Sequence, residues 1–147
     1  MDVAIEQVHG AQREQVVIRC HAVTEDVLEI ASFVRSRQGS LSGAREGRQY
    51  EIPVSEVYYV ESVDGKTFLY TRRQVYETPL RVYELEGLLR QRHFLRISKS
   101  MVVNLMKIQS IRPALNGRFA AVLRSGEEVI ISRGYVKDLK AALKGGD

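Results

Sequence analysis

Short β-prone segments follow one another between residues 48 and 131, and turn residues separate them. The run Val57 to Val60 is followed by the turn "VDGK", whose Asp-Gly pair favours a tight hairpin, and then by the strand "TFLYT". A further strand is predicted around "QVYET", and four more at "RISKS", "KIQSIRP", "GRFAAVLRS" and "EEVIIS". The sequences "LNG" and "SGE" form turns between the later strands. This succession predicts a mainly β fold, α+β overall.

Two helices are predicted among and after these strands. The first has Thr78 as a cap and Pro79 at its first helical position. Its apolar residues at helical spacing are Leu80, Tyr83, Leu85, Leu88 and Leu89. The second is the terminal segment "RGYVKDLKAALKGG", which ends on a glycine stop.

The first 46 residues differ in pattern from the rest of the chain. The segment "VVIRCHA" alternates in a way that predicts a half-buried strand, and Thr24 offers an N-cap for an amphipathic helix that ends near Gly39. The glycine- and serine-rich residues 38–47 predict a loop or flexible joint. We therefore expect a strand-helix extension over residues 1–46, serving dimerisation or docking, and a main domain over residues 47–147.

The composition is that of a globular domain. The chain has 147 residues, and 44% of them are hydrophobic, which is enough to build a core. The single cysteine, Cys20, excludes an internal disulfide framework and fits a reducing compartment. The N-terminus lacks the features of a signal peptide, and no apolar run approaches the roughly 20 residues that span a bilayer. These features predict a cytoplasmic protein.

Residues with the spacing needed for catalysis or metal binding are absent from the sequence. Cys20 and His21 would point to opposite faces of the predicted strand, so they do not form a catalytic pair. The three histidines lack metal-ligand spacing, and no glycine-rich phosphate loop precedes a helix. We expect no enzymatic activity, no cofactor, no metal and no small-molecule substrate.

Positive charge is concentrated in the second part of the chain. No acidic residue lies between Glu86 and Glu127, whereas eight basic residues do: Arg90, Arg92, Arg96, Lys99, Lys107, Arg112, Arg118 and Arg124. Such a one-signed stretch attracts polyanions such as nucleic acids. The alternative is a solvated sheet face whose counter-charges come from elsewhere in the fold.

Several motifs in a fixed order carry a resemblance to a known family. They are the "YVES" strand and loop, a helix ending in a leucine pair, Phe94 followed two residues later by Arg96, the "S-x-x-VN" turn, and the closing "SR-x-Y" before a basic helix. In this order they resemble the LytTR family of DNA-binding domains of bacterial transcription regulators, over about residues 47–144. The resemblance implies an elongated stack of small antiparallel sheets. It also implies sequence-specific binding of double-stranded DNA, with loops and strand ends entering the major groove.

The resemblance assigns DNA contacts at three places in this sequence. The first is the loop of the first hairpin, where Lys66 and Thr67 are best placed to reach bases or phosphates. The second is Ser98, Lys99 and Ser100, and the third is Arg133, which could bond a guanine edge in bidentate fashion. Further cations would attract phosphates without regard to sequence: Arg96, Lys107, Lys137 and Lys140.

Other residues have simpler structural interpretations. Asn104 is typical of a tight turn with positive φ, so we expect a structural role for it. The structural alternative for Arg133 is compensation of Glu127 or Glu128. A core role is the alternative for Tyr58, Tyr59 and Phe94.

Two departures from the family pattern limit what the resemblance implies. Ser98 occupies the usual histidine position of the second place, so base preference cannot be copied from relatives. Residues 1–46 are also too short for a phosphorylatable receiver domain, so the chain resembles the free-standing branch of the family, whose members are often paired with a small membrane protein.

Paired promoter repeats would suit a homodimer. Two alternatives remain open: an RNA or single-strand binder, and an interaction or inhibitor module of the same fold that does not bind DNA.

Overall fold

The computed structural model describes residues 1–144. Within them the helices are α1 (Glu25–Arg37), α2 (Val82–Leu89) and α3 (Val136–Lys144). The strands are β1 (Ser40–Arg45), β2 (Arg48–Pro53), β3 (Tyr59–Val63), β4 (Lys66–Tyr70), β5 (Val75–Thr78), β6 (Phe94–Ser98), β7 (Met101–Asn104), β8 (Ile108–Pro113), β9 (Phe119–Leu123) and β10 (Glu128–Ile131). In this described part of the chain, no helix has the length and apolar character needed to span a membrane.

The strands form two antiparallel sheets. Seven strands lie in the order β2-β1-β5-β4-β3-β7-β6, and three lie in the order β10-β9-β8. The hairpin predicted at Asp64-Gly65 is confirmed: it joins β3 to β4, and both turn residues have positive φ, 51° and 78°. The mainly β fold is confirmed as well.

Both faces of the large sheet are buried at its centre. On one face, Val60, Leu69 and Val102 pack against the buried leucines of α2. On the other face, Tyr59 and Val103 pack against the small sheet and α3. Successive strand residues point to opposite faces, so a sheet covered on both sides needs continuous apolar runs such as "VYYV". Tyr58, Tyr59 and Phe94 are buried as the core interpretation expects.

The prediction of a loop or flexible joint over residues 38–47 is wrong. Ser40–Arg45 is the strand β1, which pairs with β2 through the turn Glu46-Gly47. The physical reason lies at Gly43, where a β-carbon would come within 2.7 Å of Tyr76 Cβ. The small residues of this segment therefore let β1 lie close to its neighbour, and they do not make it flexible.

The strand predicted at "VVIRCHA" is also wrong. Those residues adopt no regular secondary structure, and only Ile18 among them is half-buried. Alternation alone does not make a strand, because a strand also needs a partner for its backbone hydrogen bonds. The following helix is confirmed, with the Thr24 hydroxyl accepting from the Val27 N–H at 3.4 Å.

The start predicted for the internal helix is wrong by three residues. Thr78 ends β5, Leu80 is buried outside the helix, and α2 begins at Val82. The Arg81 N–H donates to the Glu84 carboxylate at 2.9 Å, which satisfies one of the free N–H groups at this end. The terminal helix is confirmed, but the glycine stop predicted for it lies outside the described residues.

Asn104 has the structural role that was expected, but not the expected backbone. Its φ is −81°, so it does not occupy a positive-φ turn. Its buried side chain donates to the Val57 carbonyl at 2.9 Å and accepts from the Met106 N–H at 3.0 Å. Asn104 thereby fixes the passage from β7 to β8.

Candidate nucleic-acid interface

Three loops at one end of the molecule contain the places where DNA contacts were expected. They are the β3–β4 turn, the β6–β7 turn and the segment that follows β10. The Ser62 N–H donates to the Ser100 carbonyl at 2.8 Å, and the Ser132 N–H donates to the Ile97 carbonyl at 2.9 Å. These two backbone bonds hold the three loops side by side, and we call them together the three-loop face.

The first loop presents one exposed cation and one buried hydroxyl. Lys66 follows the Asp64-Gly65 turn and is exposed. Thr67 is only 6% exposed, and its hydroxyl makes no hydrogen bond within residues 1–144. The Thr67 oxygen is not among the enclosed, unpartnered polar atoms of the described residues, so it is open to solvent and retains an unused capacity to donate.

The shape of the second loop is fixed by hydrogen bonds of the Ser98 and Arg96 side chains. Ser98 Oγ accepts from the Ser100 N–H at 3.2 Å, and Lys99 between them is exposed. The Arg96 guanidinium donates to the Ser98 carbonyl at 2.7 Å, to the Lys99 carbonyl, and to the Glu86 carboxylate at 2.8 Å. Its side chain is 18% exposed. Arg96 therefore braces this loop and has little surface left for a phosphate.

The third loop presents Arg133, which is exposed at the start of the turn that leads into α3. Its aliphatic part lies against Gly117 in the β8–β9 turn. The Glu127 carboxylate instead accepts from the Tyr59 hydroxyl at 2.8 Å, and Glu128 pairs with Arg112 at 3.0 Å. The charge of Arg133 is thus not used to compensate either glutamate.

The remaining predicted cations divide into two groups. Lys137 and Lys140 are exposed on α3 just after Arg133, and Lys140 Nζ lies 5.2 Å from the centroid of the Phe119 ring. Lys107 precedes β8, at the end of the small sheet away from the β8–β9 turn, and its Nζ lies 5.0 Å from the Tyr58 ring centroid. The structure therefore does not bring Lys107 together with the three-loop face.

The electrostatic character of the face follows from which cations are paired. Two of the basic residues have the counter-charges that the structural alternative expects: Arg96 pairs with Glu86, and Arg112 pairs with Glu128. Five predicted cations of the three-loop face and α3 form no ion pair with a described residue: Lys66, Lys99, Arg133, Lys137 and Lys140. Unpaired cations on one surface create a field that draws in a polyanion.

Three residues of this region were not singled out from the sequence. Gly117 supports Arg133, and Arg81 and Glu25 line the same concave surface as Lys66 and Lys99. Each lies more than ten positions away along the chain from the residue it approaches, so residue spacing gave no signal. Over the described residues, no group of three or more His, Cys, Asp or Glu side chains could hold a metal ion.

Comparison with known proteins identifies the family to which the chain belongs. The LytTr DNA-binding domain matches residues 47–144. The chain belongs to the LytTR family. A solved LytTr DNA-binding domain from Bacillus cereus superposes with a TM-score of 0.68 at 26% identity, covering 71% of this chain and 96% of that one.

Two curated relatives carry the names of regulators. The transcriptional regulatory protein YpdB of Escherichia coli K12 is 32% identical over 111 residues, which are 75% of this chain and 46% of YpdB. The Staphylococcus aureus protein SAB2242, named as a transcriptional regulator, is 36% identical over 92 residues, which are 63% of this chain and 62% of that protein. The chain spans slightly under half the length of YpdB.

Proposed function

We propose that this protein is a sequence-specific, double-stranded DNA-binding transcriptional regulator that reads paired promoter repeats through its three-loop face. One observation carries the proposal. Within a LytTr domain, two backbone hydrogen bonds join three loops that present exposed cations. Loops fixed to a rigid scaffold can enter a major groove without a recognition helix. The proposed role is regulatory and not enzymatic, and it is carried out in the cytoplasm.

Each residue of the face has a proposed role that fits its chemistry. Arg133 reads a guanine edge through its fork of donors, and Lys99 approaches a base as a single flexible charge. Hydroxyl donors to phosphates are supplied by Thr67, Ser98 and Ser100. Sequence-independent attraction to phosphates comes from Lys66, Lys137 and Lys140. Arg96 positions the second loop, and Lys107 is left out of the interface.

The proposed partners are a second copy of the chain and, on the family pattern, a small membrane protein. Paired repeats place two copies side by side on the duplex. Ile30 and Phe33 of α1 are 39% and 52% exposed, and their spacing puts them on one side of the helix. That apolar surface suits contact between two copies. Sedimentation of wild type and of Phe33→Glu, free and on a duplex with both repeats, tests this partner.

The duplex is favoured over single-stranded nucleic acid because the loops lack exposed aromatic rings for stacking. Tyr135 and Phe119, the aromatic residues near Arg133, are both only half exposed, and Phe119 lies beneath Lys140. A single strand of either repeat and an RNA of the same sequence are therefore expected to compete poorly.

The test is a titration of the repeat duplex from the protein's own promoter and of a shuffled duplex of equal length. Arg133→Ala is expected to lower the preference for the repeat duplex by roughly 1 to 3 kcal/mol, since one bidentate base contact is lost. Lys107→Ala, which removes a charge away from the face, is the matched control and should leave both affinities unchanged. Equal preference in wild type and Arg133→Ala would contradict base reading by Arg133. Absence of binding by wild type would favour the interaction or inhibitor module.

A further inference from the structure

A concave surface lies between the first two loops, and we call it the inter-loop cleft. Its lining includes Lys66 and Thr67 from the first loop, Lys99 and Ser100 from the second, Arg81 beside α2, and Glu25 of α1. Cations and hydroxyls that converge on one hollow are the groups that bind a phosphate.

Thr67 gives the cleft an unused donor. Thr67 is 6% exposed as a whole residue and lines the cleft, and its hydroxyl, which is open to solvent, has no hydrogen-bond partner in residues 1–144. Its neighbour across the sheet, Thr78, also lines the cleft, but the hydroxyl of Thr78 accepts from the Leu80 N–H. Thr67 is therefore the one of this pair that is left to bind something from outside the fold.

Arg81 brings an additional cation from a different element. It is exposed, and it forms no ion pair with any described residue. Its backbone N–H, and not its charge, serves the start of α2 by donating to Glu84. The guanidinium is thus free to serve the cleft, together with Lys66 and Lys99.

Glu25 contributes the opposite charge from outside the region that matches the family. It is the first residue of α1, which precedes residues 47–144, and its carboxylate forms no ion pair with a described residue. A carboxylate at the edge of a phosphate site weakens binding by repulsion. Glu77 of β5, within the matched region, also lines the cleft, so the N-terminal extension adds a second carboxylate to it.

We propose that the inter-loop cleft seats one phosphodiester group of the DNA backbone, held by Arg81 and the Thr67 hydroxyl between Lys66 and Lys99, and that Glu25 limits its affinity. The proposal rests on the proposed function and adds to it a phosphate site with a contribution from the extension. It implies that Glu25 of α1 lowers the affinity for all duplexes alike, whereas the base-reading residues determine the sequence preference.

The experiment is a fluorescence anisotropy titration of the full chain with the promoter-repeat duplex and with a shuffled duplex, at several salt concentrations. Arg81→Ala should weaken both duplexes alike and reduce the salt slope by about 0.9, the value of one phosphate contact. Arg81→Lys should restore the slope. The matched control is Arg73→Ala, an exposed arginine in the turn at the other end of β4.

Two further variants separate a binding role from a structural one. Thr67→Val removes this hydroxyl at nearly constant volume and breaks no hydrogen bond within residues 1–144, so stability should change little while both affinities fall roughly two- to tenfold. Glu25→Gln should strengthen both affinities roughly two- to fivefold, as expected for one charge near a phosphate in solvent.

The outcomes separate this proposal from the proposed function. If wild type prefers the repeat duplex but Arg81→Ala keeps the wild-type slope, or Arg73→Ala lowers the slope equally, the cleft is not a phosphate site. A loss of stability in Thr67→Val, or unchanged affinity in Glu25→Gln, also counts against it. If wild type binds both duplexes equally, sequence-specific regulation fails, whereas the slopes still decide whether the cleft holds a phosphate.

Discussion

Arg133 lies directly over Gly117, so that a β-carbon at position 117 would come within 2.8 Å of Arg133 Cδ. Gly117 has a φ of +75° and belongs to the turn between β8 and β9. Gly117 therefore has two roles. It adopts the positive φ that the turn requires, and its lack of a side chain leaves room for the aliphatic part of Arg133 to pack on its backbone. The direction in which Arg133 points is therefore coupled to the small sheet.

Gly117→Ala is expected to displace Arg133 and reduce the preference for the repeat duplex. Gly126→Ala is the matched control, since Gly126 also has positive φ, +92°, but has open space where the methyl would go. Both variants should lose about 1 to 2 kcal/mol of unfolding free energy from the left-handed backbone. Only Gly117→Ala should lose sequence preference in the titration, and equal losses would show that Gly117 does not seat Arg133.

Arg96 is expected to act by bracing the second loop and not by touching phosphates. Arg96→Lys keeps the charge but cannot reach the Ser98 carbonyl, the Lys99 carbonyl and Glu86 together. It should lower unfolding free energy by about 2 kcal/mol and reduce sequence preference, measured by urea denaturation and duplex titration. Glu86→Gln should show a weaker form of the same effect. Wild-type behaviour of Arg96→Lys, with loss only in Arg96→Ala, would instead indicate a phosphate contact.

The strand pattern of the main domain was predictable because sheet burial on both faces requires runs of apolar residues. The same reasoning missed β1, since glycine and serine are typical of loops as well as of places where two strands approach closely, as at Gly43 and Tyr76. It also placed a strand at "VVIRCHA", where the chain has no pairing partner. Whether a partner exists is a property of the tertiary fold, and the local sequence does not contain it.

Asn104 is expected to be a major determinant of stability. Its amide donates to the Val57 carbonyl in a buried site and accepts from the Met106 N–H in a partly buried one. Asn104→Ala leaves both groups without a partner and should cost about 3 kcal/mol of unfolding free energy. Gln109→Ala, which removes an exposed amide, is the control. A loss below about 0.5 kcal/mol in urea denaturation of Asn104→Ala would contradict this role.

Stability is expected to fall in alkaline solution through Tyr59. Burial raises the pKa of Tyr59 above its usual value near 10, and the hydrogen bond to Glu127 raises it further. Because the folded-state pKa is the higher one, the contribution of Tyr59 is complete below about pH 10 and is lost as the pH rises above it.

The measurement is the unfolding free energy of wild type and Tyr59→Phe between pH 8 and pH 11. Wild type should lose stability more steeply above about pH 10 than Tyr59→Phe does. Tyr83→Phe, at a tyrosine that is 64% exposed, is the control and should follow wild type. Parallel curves for wild type and Tyr59→Phe would contradict the assignment.

The candidate site was predictable only in part. The sequence motifs pointed to Lys66, Lys99 and Arg133, and the structure places their loops side by side. Local sequence could not show that Arg96 is used internally or that Lys107 lies at the other end of the small sheet. Those facts depend on which strand ends meet, and this is fixed by sheet topology.

The central claim is sequence-specific duplex binding, and the competition of promoter-repeat duplex against shuffled duplex for wild-type protein at about 150 mM salt tests it most directly. A specific regulator should bind the repeat duplex at least about a thousandfold more tightly than the shuffled one. A ratio near one at that salt concentration would contradict the account, because it would leave only charge attraction between the three-loop face and DNA.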